Sequence, residues 1–181
     1  MTTLRGLCLA ACLWLTGCAS DPVPANRNDP LAAQVAEDHW RYDASLASWH
    51  LQARMSDGGL VYGPPGVETS PLFGPAVLSE TLNRPATAAL TDVAQEYVRR
   101  TNGSVVRVLR NSPDDLCFEG RYVAEMQDYA AANKFRSVVR LARKPGTNAV
   151  RVLTYTQCES DFSGQDVPKW ADVLARQTLK D

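Results

Sequence analysis

The sequence predicts an α+β fold in which an antiparallel sheet of about five to six strands is flanked by helices, a sandwich with separate strand and helix segments. Three observations lead there. Across residues 104–157 four segments rich in Val, Tyr, Phe and Leu follow one another, separated by turn clusters. Two amphipathic stretches, 87–101 and one opening at Val167-Pro168, carry helical rather than strand periodicity. The strand–helix–strand alternation of a parallel sheet is absent. Composition agrees, since 181 residues that are 45% apolar, 22% charged and 8% aromatic exclude a disordered chain, a collagen-like repeat and a polytopic membrane protein. A formal charge of −1 supplies no field that would draw the whole chain to nucleic acid, so no nucleic-acid partner is expected.

Residues 1–17 read as a signal peptide. Arg5 precedes the uncharged run 7–15, LCLAACLWL, which is shorter than the roughly 20 apolar residues of a membrane-spanning helix. Leu15-Thr16-Gly17-Cys18 follows directly and resembles the lipobox of bacterial lipoproteins: an apolar residue, two small ones, then cysteine. The resemblance implies that the Cys18 thiol receives diacylglycerol, that the chain is cut before it, and that the new amino terminus takes a further acyl group such as palmitate. Membrane lipid is then a partner through Cys18. Each buried CH2 contributes about 0.8 kcal/mol, so two or three chains anchor where one binds only marginally. Ala19, where an aspartate would signal retention, implies the outer membrane of the bacterial envelope, with the domain on its periplasmic face. The alternative is a plain secretory signal with a chance cysteine.

Residues 18–30 form the lipidated cysteine and a flexible tether, and 31–181 one α+β domain. The stretch 19–30, with three prolines and two asparagines, has no apolar period and reads as solvated, reaching about 40 Å at roughly 3.3 Å per residue. Asp29-Pro30 suits a helix start, and Leu31, Val35, Tyr42 and Leu46 fit a helix over 31–45. Residues 49–55 and 60–62 pair as a hairpin around Asp57-Gly58-Gly59. Nine of the nineteen residues 57–75 are Gly or Pro, which predicts an ordered surface loop over 63–75.

The helix over 87–101 places Leu90, Val93, Ala94, Tyr97 and Val98 on one face and stops at Asn102-Gly103. Strands are predicted at 104–110, 117–127, 134–143 and 148–157, in antiparallel sequence. The stretch 122–133 has enough Ala, Glu and Met to form a helix instead. A terminal helix packs Trp170, Val173, Leu174 and Leu179 on the sheet. This order, an early hairpin, a helix after a loop, a strand meander and a last helix, is similar to small envelope lipoproteins of the Mog1/PsbP-like class over about residues 45–180.

Cys117 and Cys158 are the cysteines left after processing, and an exported pair suggests a disulfide. The meander opposes it: its turns set Cys158 opposite Lys134 and Lys134 opposite about Asp128, which puts Cys117 more than about 30 Å away, whereas bridged Cα atoms lie within about 7 Å. Both readings stay open, the bridge requiring a different strand order or a helix at 122–133.

Catalytic constellations are sparse, and no enzyme, cofactor or metal site is expected. His39 and Asp43, four apart, could share a metal with His50, but His39-Trp40 and Trp49-His50 read better as aromatic packing at a helix-to-strand corner. Nothing in spacing supports Cys117 and His39 as a nucleophile pair, and Asp114-Asp115 suit a turn. Charge placement is more informative. The stretch 134–151 holds Lys134, Arg136, Arg140, Arg143, Lys144 and Arg151 with no acidic residue. Strand alternation puts Lys134, Arg136, Arg140 and Lys144 opposite Phe135, Val139 and Leu141. Arg136, Arg140, Lys144 and Arg151 are the candidate binding face, against the alternative that Glu119, Glu125 and Asp128 neutralise it. The expected function is a non-catalytic accessory module that binds an envelope protein or assembly. An immunity-type inhibitor of a secreted toxin is the second reading. The third is a small-ligand or lipid carrier with a cavity lined by Trp170, Tyr155 and Leu153.

Overall fold

A computed structural model describes residues 23–24, 38–66, 74–124 and 133–180. The expected signal peptide, Cys18, most of the expected tether, residues 31–37 of the predicted first helix, residues 67–73 of the Gly/Pro loop and residues 125–132 lie outside the described residues. An eight-stranded antiparallel sheet has the order β1-β3-β4-β5-β9-β8-β7-β6. Its strands are β1 (Val23–Pro24), β3 (His50–Arg54), β4 (Leu60–Gly63), β5 (Ala76–Asn83), β6 (Gly103–Asn111), β7 (Asp115–Ala124), β8 (Asn133–Arg143) and β9 (Ala149–Cys158). A second sheet pairs β2 (Trp40–Arg41) with β10 (Thr178–Leu179). The helices are α1 (Leu90–Arg100) and α2 (Asp166–Arg176). The antiparallel sheet with helices is as predicted, but the strand count is higher than five to six and strands dominate.

The four-strand meander forms because its residues alternate and its turns are decisive. Lys144-Pro145-Gly146-Thr147 closes β8 onto β9, with Gly146 at φ +76° and the Thr147 N–H donating to the Lys144 carbonyl at 3.1 Å, the geometry of a type II turn that needs glycine third. Leu116, Phe118, Val139, Leu141, Val150 and Val152 point to one face and are covered by Leu90, Val93, Ala94 and Val98 of α1. The helix stops as expected, but it is Asn102 at φ 50° that takes the left-handed position. The opposite face carries Cys117, Val138, Leu153 and Tyr155 beneath Val167, Trp170, Val173 and Leu174 of α2. Asp166 closes the approach to α2 by accepting from the Ser163 N–H and hydroxyl, both at 2.7 Å.

Three expectations change. β5 is an unpredicted strand, and it joins the two halves of the sheet by pairing with β4 on one side and β9 on the other. Residues 38–45 of the predicted 31–45 helix are β2 and turns instead, because Trp40 and Arg41 pair with Leu179 and Thr178 at the far end of the chain. Val23 and Pro24, expected in a solvated tether, lie along Arg54 and Ala53 at the sheet edge. Among the described residues no helix is long and apolar enough to cross a membrane.

Candidate functional site

Half of the expected basic face is used inside the molecule. Alternation places Arg136 and Arg140 on one face of β8 as predicted, but α2 packs there. Arg140 donates Nε and Nη2 to Asp115 at 2.8 and 2.6 Å, and Nη1 to the carbonyls of Leu174 and Gln177 at 2.7 and 2.6 Å. It caps the carbonyl end of α2, where a cation is favoured. Arg136 pairs with Glu119 and lies over the Phe162 ring, 4.7 Å from its centroid. Glu119 is buried and accepts also from Arg107 at 2.8 Å, so two arginines answer one carboxylate taken out of water. Lys144 and Arg151, in contrast, line a small pocket with His39 and Lys180.

Cys117 and Cys158 are not bridged. Tyr122, not Asp128, stands in the row of Cys158, through Phe135. Cys117 lies five residues along β7 from Tyr122, roughly 17 Å at 3.3 Å per residue and on the opposite face of the sheet. Burial pushes the Cys117 thiol up to about 11, which leaves it an inert apolar filler. His39 and Asp43 do not share a helical face. Asp43 turns to the Ser45 N–H at 2.9 Å, the Arg176 Nε at 2.8 Å and the Gln177 Nε2 at 3.0 Å, while His50 opens β3 opposite Gly63. Among the described residues no three His, Cys, Asp or Glu side chains are grouped to hold a metal.

Trp170, Tyr155 and Leu153 are filled space: the two rings stack with centroids 3.6 Å apart, and Leu153 is fully buried. The cavity lies beside them, over the β3-β4-β5 half of the sheet. Leu51, Tyr62 and Val77 form its floor, Trp40, Tyr42, Leu46, Ala47 and Trp49 its walls, and Arg41 and Lys180 its cationic rim. Its volume is about 260 Å³, just under the roughly 300–1,000 Å³ of small-molecule sites. Tyr42 and Tyr62 meet edge to face at 5.4 Å, and Trp49 meets Trp170 the same way at 5.5 Å. The expected helix-to-strand corner is absent from the described residues: Trp49 packs on Trp170 of α2 instead, and Trp40 and Tyr42 serve the cavity.

The wall formed by residues 40–49 is irregular chain held by two buried polar clasps. Asp38, 2% exposed, accepts from the Tyr62 hydroxyl at 2.6 Å, the Ser79 hydroxyl at 2.7 Å, the Trp40 N–H at 3.2 Å and the Tyr42 hydroxyl. Burial and then the Asp38 charge raise both tyrosines far above their usual range, so their hydroxyls remain donors. Gln177, fully buried, accepts from the Asp43 N–H at 2.8 Å and donates back to the Asp43 carboxylate. The sequence signal for the cavity was the run of aromatics at 40, 42 and 49; no local signal showed that Tyr62, Val77 and Lys180 would join them.

No protein-family model matches the chain, and a search of curated proteins finds no relative.

Proposed function

We propose that the protein is an outer-membrane lipoprotein, held through acylated Cys18, whose periplasmic domain is a non-catalytic binding module that seats an apolar side chain of an envelope protein in the aromatic cavity. The cavity is the observation that carries this reading. Its size suits one large side chain better than an extended small molecule. Its tyrosine and tryptophan walls are the residue types that dominate protein recognition, and its Arg41 and Lys180 rim favours acidic neighbours of the inserted residue. The architecture of hairpin, helix, meander and final helix supports kinship with the Mog1/PsbP-like class of envelope lipoproteins.

The test uses the full chain with Cys18→Ser as bait in an envelope extract. This variant should leave the membrane fraction, and its retention there would refute lipid anchoring. One envelope protein should co-purify with it, should be lost when Ala47→Trp fills the cavity, and should be kept when Gln95→Ala alters the outer face of α1. Capture that survives Ala47→Trp overturns the site, and co-purified lipid in place of a protein overturns the partner class.

A further inference from the structure

We infer that the pocket between the β8–β9 turn and the chain end binds a phosphate group. The inference does not rest on the proposed use of the aromatic cavity, with which the pocket shares only Lys180. Pairing of β2 with β10, extended by the Lys180 N–H donating to the His39 carbonyl at 2.9 Å, brings residues 39 and 180 against the type II turn at 144–147. Arg151 follows on β9, opposite Thr81 of β5. The resulting pocket, about 80 Å³, is lined by His39, Lys144, Thr147, Arg151 and Lys180 beside small apolar contacts. Among the described residues no carboxylate lines it. Asp38, next in sequence to His39, is buried and already accepts four hydrogen bonds.

Several arginines elsewhere are answered by acids, while the buried Arg143 is held by the carbonyls of Ala86 and Ala88. Arg107, Arg110, Arg121, Arg136, Arg140 and Arg176 each meet a carboxylate. Arg151 instead donates to the Thr81 hydroxyl and has no carboxylate partner among the described residues, although it is partly withdrawn from water. A partly desolvated cation without an anion gains from an incoming one. The donor set fits a tetrahedral oxyanion: a guanidinium, two ammonium groups and an imidazole, with the Thr147 hydroxyl already donating to the Lys144 carbonyl at 2.8 Å. The volume admits a phosphate group but not the body of a lipid or a sugar. Burial first, then Arg151 and Lys180 against the opposing pull of Asp38, holds the His39 imidazole below its usual value. A bound phosphate reverses the balance and raises it.

The experiment titrates the full-length chain carrying Cys18→Ser, in detergent-free buffer, with inorganic phosphate and separately with phosphatidic acid vesicles, following the imidazole resonances. His50, the other histidine of the chain, is the internal control. Saturable shifts of His39 but not His50, with His39 titrating at higher pH, are expected. Lys144→Gln, in the exposed turn, and Arg151→Gln should each weaken binding at least tenfold. A response to inorganic phosphate alone assigns a free phosphate or phosphomonoester, and a response to vesicles, lost in the same variants, assigns a lipid headgroup; either supports the inference. Absence of saturable binding to both, or binding unchanged by Lys144→Gln, overturns it.

Discussion

The two halves of the sheet are built differently. On the β6–β9 side the strands run nine to eleven residues, a regular helix covers each face, and the cations beneath α2 are answered by Glu119 and Asp115. On the β3–β5 side the strands are five, four and eight residues long. There one face is covered by the irregular segment 40–49, which leaves a cavity. Continuous helical cover fills space, whereas a wall of turns held by point contacts does not. The first half is therefore a frame, and the second holds the proposed recognition site.

If that division is right, substitutions in the frame should unfold the molecule and substitutions in the wall should open it locally. Phe118→Ala, in the fully buried layer beneath α1, should cost about 3–5 kcal/mol of global stability, read as a lower urea midpoint with coincident loss of all amide protection. Asp38→Ala leaves two tyrosine hydroxyls and a serine hydroxyl without their buried acceptor and should cost about 3 kcal/mol. Amide exchange should locate that loss in residues 38–49 and Tyr62, with β7 and β8 still protected; uniform loss across the sheet would erase the distinction between the halves.

Smaller effects follow from titration. The Ser45 hydroxyl first, then Gln177 and Arg176, hold the Asp43 carboxyl well below its usual range. A carboxylate depressed in the fold contributes stability above its unfolded pKa of about 3.9, and this is lost as pH falls through the folded value. Acid should therefore loosen residues 43–45 from the end of α2, and Asp43→Asn should flatten that pH dependence. Glu80 has the opposite sign. Burial raises its carboxyl despite the Tyr97 hydroxyl donating to it at 2.6 Å, so its ionisation in the fold costs stability as pH rises. Glu80→Gln should raise the melting temperature slightly at pH 7 and leave it unchanged at pH 4.

What could be read in the sequence divides along the same line. The frame was legible because its determinants are local: alternating Val, Leu and Phe from Ser104 to Gln157, Pro145-Gly146 at a turn, Asn102 at a helix end. β5 was not, since Ser79 and Glu80 break its apolar pattern and its place is fixed by β9 about seventy residues later. The predicted helix across residues 38–45 failed because β10 captures Trp40 and Arg41, a contact that local periodicity does not encode. Alternation placed Arg136 and Arg140 on one face, but only tertiary structure supplies the helix that covers them. The pocket of His39, Lys144, Arg151 and Lys180 draws on three distant parts of the chain and had no compact motif.

The best competing surface belongs to the frame: Val106 and Val108, each 51% exposed on the edge strand β6, where exposed backbone could pair with another chain. Site-specific photo-crosslinking in cells, from a photoreactive residue at Ala47 and in parallel at Val106, decides between them. Recognition in the cavity requires one envelope protein captured from Ala47 and none from Val106. Capture from Val106 alone would move the binding surface to the frame and contradict the account.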